Sequence, residues 1–226
     1  MKLKVLYEDN HIIAVYKDAG MLVQGDESGD PTLIDEVKYY LKQKYNKPGN
    51  VFLGMVHRLD RPVSGIVLFG KTSKGAARLS EQIRNHTIQK TYHALVHGTP
   101  KNHQSTLINY LKKDSDKNFV RVYDTPTPDA LRAELSYETV ESKNGKSILK
   151  ILLKTGRPHQ IRSQLAHMGH PIVGDIKYGA EKVLETESFG QKHSIICLCA
   201  TSVEFQLATL DERKKIEIDF PKEWNF

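Results

Sequence analysis

One short stretch of the sequence combines the residue types of a catalytic site: His57-Arg58-Leu59-Asp60-Arg61-Pro62-Val63-Ser64-Gly65. The carboxylate of Asp60 lies between two arginines, and nearby cations favour the ionised form of a carboxylic acid. An ionised aspartate can act as a nucleophile or as a general base. The apolar runs 51–56 and 66–69 predict buried strands, so we expect Asp60 on a loop between them. A surface ion pair beside a turn is the alternative that these residues leave open.

Two further stretches carry polar side chains suited to a site. Segment 88–96 predicts a strand, in which period-two alternation puts Lys90 and Tyr92 on one face. A tyrosine among aliphatic residues is usually a core residue with a hydrogen-bonded hydroxyl. The sequence Lys154-Thr155-Gly156-Arg157-Pro158-His159-Gln160-Ile161-Arg162 predicts a turn that leads into a short helix at 160–168. Its last arginine lies off the apolar stripe of that helix and is free to reach a carboxylate elsewhere.

Together these stretches resemble the signature motifs of the RluA-type pseudouridine synthases, a family that isomerises uridine in RNA. The motif around Asp60, the segment Gln89-Lys90-Thr91-Tyr92-His93-Ala94-Leu95-Val96 and the segment that ends at Arg162 occur in the order of the family. The last segment runs on to Gly169-His170-Pro171-Ile172-Val173-Gly174-Asp175. A weaker similarity extends from about residue 5 to the C-terminus.

The resemblance implies a role for each motif residue. Asp60 falls on the catalytic aspartate of the family, Tyr92 on the tyrosine that stacks on the target base, and Arg162 on the arginine that pairs with the aspartate. Arg58 would fill the gap that the extruded nucleotide leaves in the RNA. The remaining residues expected to contact RNA are Arg61, Lys90, Arg157 and His159. Isomerisation adds and removes nothing, so the resemblance implies neither a cofactor nor a metal.

Two segments depart from the family pattern. Tyr16-Lys17-Asp18-Ala19-Gly20 stands where the family usually has Asn-Lys-Pro-Ala-Gly, so Lys17 is retained while the Asn and the Pro are lost. Leu198-Cys199-Ala200 stands where Leu-His-Ala is usual. We infer that the chemistry does not need a histidine at the latter position.

Composition and charge narrow the class of protein. A chain of 226 residues can bury a substantial core, and its net charge is +6. Segment 71–121 holds ten lysines and arginines against three acidic residues. A basic face of this kind suits a polyanion such as RNA, although ordinary solubilising charge would look the same. We therefore expect RNA as the binding partner. We also expect the protein to be a monomer.

Other features exclude a membrane and favour the cytoplasm. No apolar run reaches the roughly 18 residues that a membrane span needs, and the N-terminus Met-Lys-Leu-Lys lacks the apolar core of a secretory signal. Cys197 and Cys199 alternate with apolar residues and are expected on one face of a strand. Their geometry disfavours a mutual disulfide, so we interpret them as buried free thiols.

Strand signals outnumber helix signals, which favours the α+β class with a largely antiparallel sheet. The resemblance implies a pseudouridine-synthase-like domain with a mostly antiparallel central sheet flanked by helices and loops. We expect residues 1–226 to form a single catalytic domain, without the separate N-terminal RNA-binding domain that many relatives carry.

Local signals place several elements. Thr32 and Ser73 are predicted to cap the first and second helices, and Asn144-Gly145 between apolar runs predicts a hairpin. The Lys-rich segment 99–118 has little periodicity except at 107–111 and is interpreted as an exposed excursion. Three short strands are predicted near the end of the chain, at 195–200, 203–207 and 216–220.

Gly65-Ile66-Val67-Leu68-Phe69-Gly70-Lys71-Thr72 matches the phosphate-binding Walker A pattern literally. A phosphate cradle needs a flexible loop entered from a strand, whereas Ile-Val-Leu-Phe is bulky and strand-forming. We therefore interpret the match as a coincidence and predict a strand over 66–69.

Other constellations are weaker still. A helix end at Gly169 separates His167 from His170, so the two histidines and Asp175 do not make a metal site. Ser64 lacks the glycine-flanked turn of a hydrolase nucleophile.

The sequence therefore predicts an RNA pseudouridine synthase that acts on ribosomal or transfer RNA. The alternative is a non-catalytic RNA-binding protein or RNA-folding chaperone on the same fold. The presence of Asp60, Tyr92 and Arg162 together favours the enzyme.

Overall fold

The computed structural model describes residues 3–188, 191–222 and 224. Three α-helices lie in this part of the chain: α1 (Leu33–Lys44), α2 (Ser73–Arg84) and α3 (Gln160–His167), with a short 3₁₀ helix at Ile176–Tyr178. The strands, in chain order, are β1 (Val5–Glu8), β2 (Ile12–Lys17), β3 (Gly54–Met55), β4 (Ser64–Gly70), β5 (Gln89–His97), β6 (Gln104–Asp114), β7 (Phe119–Tyr123), β8 (Leu131–Lys143), β9 (Lys146–Leu153), β10 (Leu184–Ser188), β11 (Gln191–Ile195), β12 (Leu198–Gln206) and β13 (Arg213–Glu217).

One large sheet dominates the structure. Its strand order is β1-β2-β4-β12-β5-β9-β8-β6-β7, with β3 added to β4 and β13 added to β12, while β10 and β11 form a separate hairpin. Among the described strands β4 and β12 pair in parallel, and every other pairing is antiparallel. The predicted α+β class with a mostly antiparallel sheet is confirmed. None of the helices in the described ranges has the length and apolar character that crossing a membrane requires.

The ends of the helices follow from side chains near each terminus. The Thr32 hydroxyl accepts a hydrogen bond from the Asp35 amide (3.2 Å) and donates one to the Asp35 carboxylate (2.7 Å), which confirms the predicted cap of α1. The prediction for α2 was wrong by one residue. Thr72, in an extended conformation, caps that helix through the Gly75 amide at 3.1 Å, and Ser73 is already helical.

Turn chemistry at Asn144-Gly145 is also confirmed. Both residues have positive φ, 50° and 70°, as a two-residue hairpin turn requires, and they join β8 to β9.

The interpretation of segment 99–118 as an exposed excursion was wrong. Strand β6 occupies most of it, pairing with β8 on one side and β7 on the other. Asn109 and Leu111 face inward, while the lysines that obscured the alternation lie in the more exposed positions. A strand that is polar on one face and short of apolar residues on the other gives a weak periodic signal.

The end of the chain also differs from the prediction. The strands predicted at 195–200 and 203–207 belong largely to one continuous strand, β12, whose pairing with β5 shifts register between Ala200 and Ser202. This irregularity interrupts the alternation of apolar residues that sequence reasoning relies on. The hairpin of β10 and β11 was not predicted. Cys197 and Cys199 are buried free thiols, as expected.

The Walker-like string is part of the sheet. Residues 66–69 lie within β4, as predicted. Lys71 is 8% exposed, and its ammonium donates hydrogen bonds to the Glu8 carboxylate and to the Asp9 carbonyl, both at 2.6 Å. Burial raises the pKa of Glu8, but hydrogen bonds from Lys44, Lys71 and two tyrosines outweigh it and lower that pKa to about 2. Lys71 is therefore committed to a buried ion pair.

The glycines of the string serve close packing. Gly65 has φ +121°, and a Cβ on it would lie 2.4 Å from the Ala200 backbone nitrogen in the neighbouring strand β12. A Cβ on Gly70 would lie 2.4 Å from the Ala76 nitrogen in α2. These contacts bring β4 close to its neighbours. They also fix the point at which the preceding loop, which carries Asp60, enters the sheet.

We expect Gly65→Ala to lower the free energy of unfolding by about 3 kcal/mol or more, because it adds a backbone clash to a strained φ. Gly145→Ala is the matched control, since Gly145 also has positive φ (70°) but nothing lies within 4 Å of an added Cβ. The control should cost about 1 kcal/mol. Chemical denaturation measures both values. Equal losses in the two variants would contradict the packing role of Gly65.

Candidate active site

A pocket of about 420 Å³ opens between the loop that follows β3, strand β5 and the start of α3. Seven of the eight residues that the sequence predicts for the site line it: Arg58, Asp60, Lys90, Tyr92, Arg157, His159 and Arg162. Sequence positions more than 100 residues apart thus meet in one cleft.

An arginine between two carboxylates forms the base of the pocket. Arg162 Nε and Nη2 donate to the two oxygens of Asp175 at 2.7 and 2.8 Å, and Nη1 donates to Asp60 Oδ2 at 3.2 Å. Arg162 is 6% exposed and Asp175 1%. Burial lowers the pKa of Arg162, but the hydrogen bonds and charge of Asp175, together with the charge of Asp60, outweigh this effect and raise it.

Sequence reasoning included Asp175 in the motif that resembles the family and rejected it as a metal ligand, but gave it no role in this cluster. Asp175 and the two histidines that precede it in the sequence have different partners. Asp175 forms an ion pair with Arg162, while His167 contacts Asp124 at 2.9 Å and His170 contacts the His97 carbonyl at 2.8 Å. The three residues therefore face different neighbours.

The loop that carries Asp60 is fastened to the sheet. His57 Nε2 accepts the backbone N–H of Leu68 in β4 at 3.0 Å, and burial lowers the pKa of His57 to about 3. The imidazole is thus a neutral acceptor over the physiological range. Within the loop, the Val63 amide donates to the Asp60 carbonyl at 3.0 Å and closes a turn.

Arg61, the eighth residue predicted for the site, does not line the pocket. Its guanidinium donates to the Gly20 carbonyl at 2.9 Å and pairs with Asp30 and His193. The turn at Asp60 sends these two neighbouring side chains to different sides of the loop. Arg61 therefore anchors the loop to segment 18–30.

Lys17 also anchors this loop, and sequence reasoning noted that it is retained from the family pattern but gave it no role. Its side chain is fully buried, and Nζ donates to the carbonyls of Asp18 (3.0 Å), Met21 (2.8 Å) and Arg61 (3.1 Å). Burial lowers its pKa to about 7, against the attraction of Asp60 and Asp18. A lysine at the end of an otherwise apolar strand was the available signal.

Strand β5 contributes one wall. Lys90 and Tyr92 both line the pocket, so the alternation put them on one face as expected. Tyr92 is 7% exposed, and burial together with the charge of Asp60 raises the pKa of its phenol well above the ordinary value. Burial lowers the pKa of Lys90, whose ammonium forms no hydrogen bond with any of the described residues.

The rim carries two more arginines. Arg58 is exposed, and none of the described residues accepts a hydrogen bond from its guanidinium. Arg157 is partly buried, and its Nε donates to the Arg132 carbonyl at 3.1 Å. Arg58 is therefore the freer of the two to bind an anion.

His159 completes the floor. It precedes α3 in the left-handed conformation (φ 48°), and its Nε2 lies 3.8 Å from Asp60 Oδ2. Burial lowers the pKa of His159, and the nearby Asp60 charge opposes this shift. Its Nδ1 is 2.8 Å from the Tyr178 hydroxyl.

We expect Lys17→Met to lower the free energy of unfolding by about 3 kcal/mol, because three backbone carbonyls lose the donor that a fully buried side chain supplies. Lys42→Met on the exposed face of α1 is the control and should change it by less than about 0.5 kcal/mol. Denaturant titration followed by circular dichroism measures both. A Lys17→Met protein as stable as wild type would contradict the anchoring role.

Comparisons with known proteins identify the family of this chain. The sequence model of the RNA pseudouridylate synthase family matches residues 11–167. The ribosomal large subunit pseudouridine synthase C of Buchnera aphidicola subsp. Acyrthosiphon pisum is 32% identical over 205 residues, which cover 89% of this chain and 62% of that protein. The tRNA pseudouridine synthase C of Salmonella typhimurium is 35% identical over 192 residues, 78% of this chain and 70% of that protein.

Structural similarity points the same way. Human RNA pseudouridylate synthase domain containing 4 superposes with a TM-score of 0.77 at 19% identity, over 97% of this chain and 89% of that one, and so shares the fold. The chain spans about 62% of the length of the Buchnera relative. From the family match and the identity to these relatives, the chain belongs to the RNA pseudouridylate synthase family.

Proposed function

We propose that this chain isomerises uridine to pseudouridine in ribosomal or transfer RNA, with Asp60 as its catalytic residue. The observation that carries the proposal is the setting of Asp60. Its side chain is 29% exposed, while the side chain of Arg162 behind it is 7% exposed and bound to a second, buried carboxylate. A carboxylate held in this way is oriented from behind and open to a substrate in front.

The contacts of Asp60 distinguish its two oxygens. Arg162 Nη1 at 3.2 Å and His159 Nε2 at 3.8 Å both face Oδ2. None of the described residues gives Oδ1 a hydrogen bond. We infer that Oδ1 is the oxygen that acts on the nucleotide, while Oδ2 keeps the carboxylate aimed.

The reaction exchanges one glycosidic bond for another. The bond from ribose C1′ to uracil N1 breaks, the base turns, and a bond from C1′ to C5 forms as the hydrogen on C5 leaves as a proton and N1 gains one. Atoms and electrons balance, so the proposed reaction needs no cofactor. Asp60 supplies the ionised oxygen, which Arg162 stabilises and orients.

Tyr92 and Arg58 would hold the nucleotide in this pocket. The raised pKa of Tyr92 keeps it a phenol, so we assign it stacking on the base rather than the role of a base catalyst. A base inside RNA is reached by extruding it. The exposed guanidinium of Arg58 at the rim is suited to the space that the base leaves. Lys90, half-buried without a described partner, would meet a phosphate.

Basic residues of α2 extend this surface. Lys74, Arg78 and Arg84 are exposed, and the pocket is lined by Ile83 of α2 and by His86, two residues beyond its end. RNA that enters the pocket would therefore pass close to α2.

Asp60→Asn should lower turnover at least about 100-fold, because the amide keeps the shape of the side chain but supplies no ionised oxygen. RNA affinity should stay within about threefold. The measurement is tritium release from RNA labelled at uracil C5, with RNA from cells that lack the gene as substrate. Asp116→Asn, an exposed aspartate outside the pocket, is the control.

If Asp60→Asn releases tritium at the wild-type rate, Asp60 is not the catalytic residue. Specific RNA binding by the wild type without any release would favour the non-catalytic RNA-binding alternative.

The role assigned to α2 predicts a salt dependence. Each phosphate contact contributes about 0.7 to 0.9 to the slope of log affinity against log salt. Arg84→Ala should therefore lower that slope by about 1, whereas Lys42→Ala on α1 should leave it unchanged. Filter binding to RNA from 50 to 300 mM salt, roughly the range over which such contacts are resolved, gives both slopes. Equal slopes for all three proteins would mean that this part of α2 does not contact RNA.

A further inference from the structure

Tyr178, in the 3₁₀ helix after Asp175, is held on several sides. Its ring stacks on Phe119 with centroids 4.9 Å apart, and the Arg162 guanidinium lies 5.2 Å above it. Its hydroxyl oxygen accepts the backbone N–H of Val120 at 3.0 Å and lies 2.8 Å from His159 Nδ1. The position of this hydroxyl is therefore fixed independently of His159.

The hydrogens in this group can be assigned one by one. The Val120 amide can only donate, so the Tyr178 oxygen accepts there. The phenolic proton then needs an acceptor, and among the described residues His159 Nδ1 is the one within reach. A nitrogen that accepts carries no proton, so the neutral imidazole has its proton on Nε2.

The protonation states of both groups agree with this assignment. Burial raises the pKa of Tyr178 to about 12, which keeps the donor protonated. Burial lowers the pKa of His159, with Asp60 and Asp175 acting against this shift and Arg162 and Lys177 acting with it.

The other nitrogen of the imidazole faces the carboxylate of Asp60. Nε2 lies 3.8 Å from Asp60 Oδ2, the oxygen that Arg162 also contacts. In the Nε2–H tautomer a donor points at the carboxylate, whereas the other tautomer would oppose it with a lone pair. His159 also adopts a left-handed backbone (φ 48°), a conformation that side chains rarely adopt unless the surroundings hold them there.

We propose that Tyr178 is a positioning residue: it holds His159 in the Nε2–H tautomer, so that the imidazole and Arg162 together fix Asp60 Oδ2 and leave Oδ1 to the nucleotide. This inference deepens the proposed isomerisation and rests on it for its catalytic meaning. The tautomer itself is a property of the free protein.

The first test therefore needs no turnover. Nitrogen-15 NMR of histidine-labelled protein reports which ring nitrogen carries the proton, and His159→Gln identifies the His159 signals by their loss. Wild type should show His159 as the Nε2–H tautomer, and Tyr178→Phe should show a mixture of tautomers. An Nδ1–H tautomer in wild type, or an unchanged spectrum in Tyr178→Phe, would overturn the assignment even if the protein isomerises uridine.

The second test separates positioning from general support of the fold. Tyr178→Phe keeps both ring contacts and should lower kcat for tritium release about 10-fold, the loss expected for one positioning hydrogen bond, with KM unchanged. Gln has an amide nitrogen near the place of Nε2 and no tautomers. Adding Tyr178→Phe to His159→Gln should therefore cause no further loss.

A second 10-fold loss in the His159→Gln background would show that Tyr178 acts through Val120 or Phe119 instead, and would overturn the proposal. Tyr137→Phe is the matched control, because Tyr137 is a buried tyrosine of β8 whose hydroxyl donates to the Asn102 carbonyl at 3.3 Å, away from the pocket. Its kcat should equal that of wild type. If wild type itself releases no tritium, the isomerisation proposal fails, while the NMR result still decides the tautomer.

Discussion

The site depends on the buried guanidinium of Arg162, which two carboxylates share. An unpaired charge at this depth would cost several kcal/mol, roughly the desolvation of one ion. Asp175 offsets that cost with two hydrogen bonds of 2.7 and 2.8 Å, and leaves Nη1 for Asp60 at 3.2 Å. The longer contact goes to the carboxylate that faces the pocket. The tight pair thus fixes the position of the guanidinium, and the looser one aims Asp60 while leaving it open to substrate.

The rest of the fold serves to keep Asp60 within reach of that guanidinium. The loop is bound to β4 through His57, to segment 18–30 through Arg61 and to the end of β2 through Lys17. Close packing at Gly65 against β12 fixes its far end. Each anchor is a side chain that hydrogen-bonds with the backbone, fully buried for Lys17 and partly buried for His57 and Arg61. Such contacts are how a loop can hold a side chain as precisely as a regular element does.

Sequence reasoning reached the site through Asp60, Tyr92 and Arg162, because each lies in a short motif with a recognisable order. It grouped Arg61 with residues that line the pocket, whereas the side chain lies outside it, because the direction of a side chain within a turn depends on backbone angles that spacing does not reveal. It gave Asp175, Lys17 and Tyr178 no role in the site for a related reason. Their functions come from partners in other elements, which only the order of strands in the sheet brings together.

The fold, like the site, was predicted correctly where the signals are local and missed where distant segments pair. Capping and hairpin signals are local, so α1 and the turn at Asn144-Gly145 were predicted correctly. Strand β6 was missed because it is held by pairing with β7 and β8 and has few apolar residues of its own. The secondary structure of such a segment is determined by its pairing with neighbouring strands and not by its own composition.

The most direct test of this account is the nucleoside composition of RNA incubated with the purified chain. RNA from cells that lack the gene would be digested after incubation and separated by liquid chromatography with mass detection. The account predicts a new nucleoside with the mass of uridine and the retention of pseudouridine, formed without any added cofactor. Unchanged uridine in RNA that the chain demonstrably binds would contradict it.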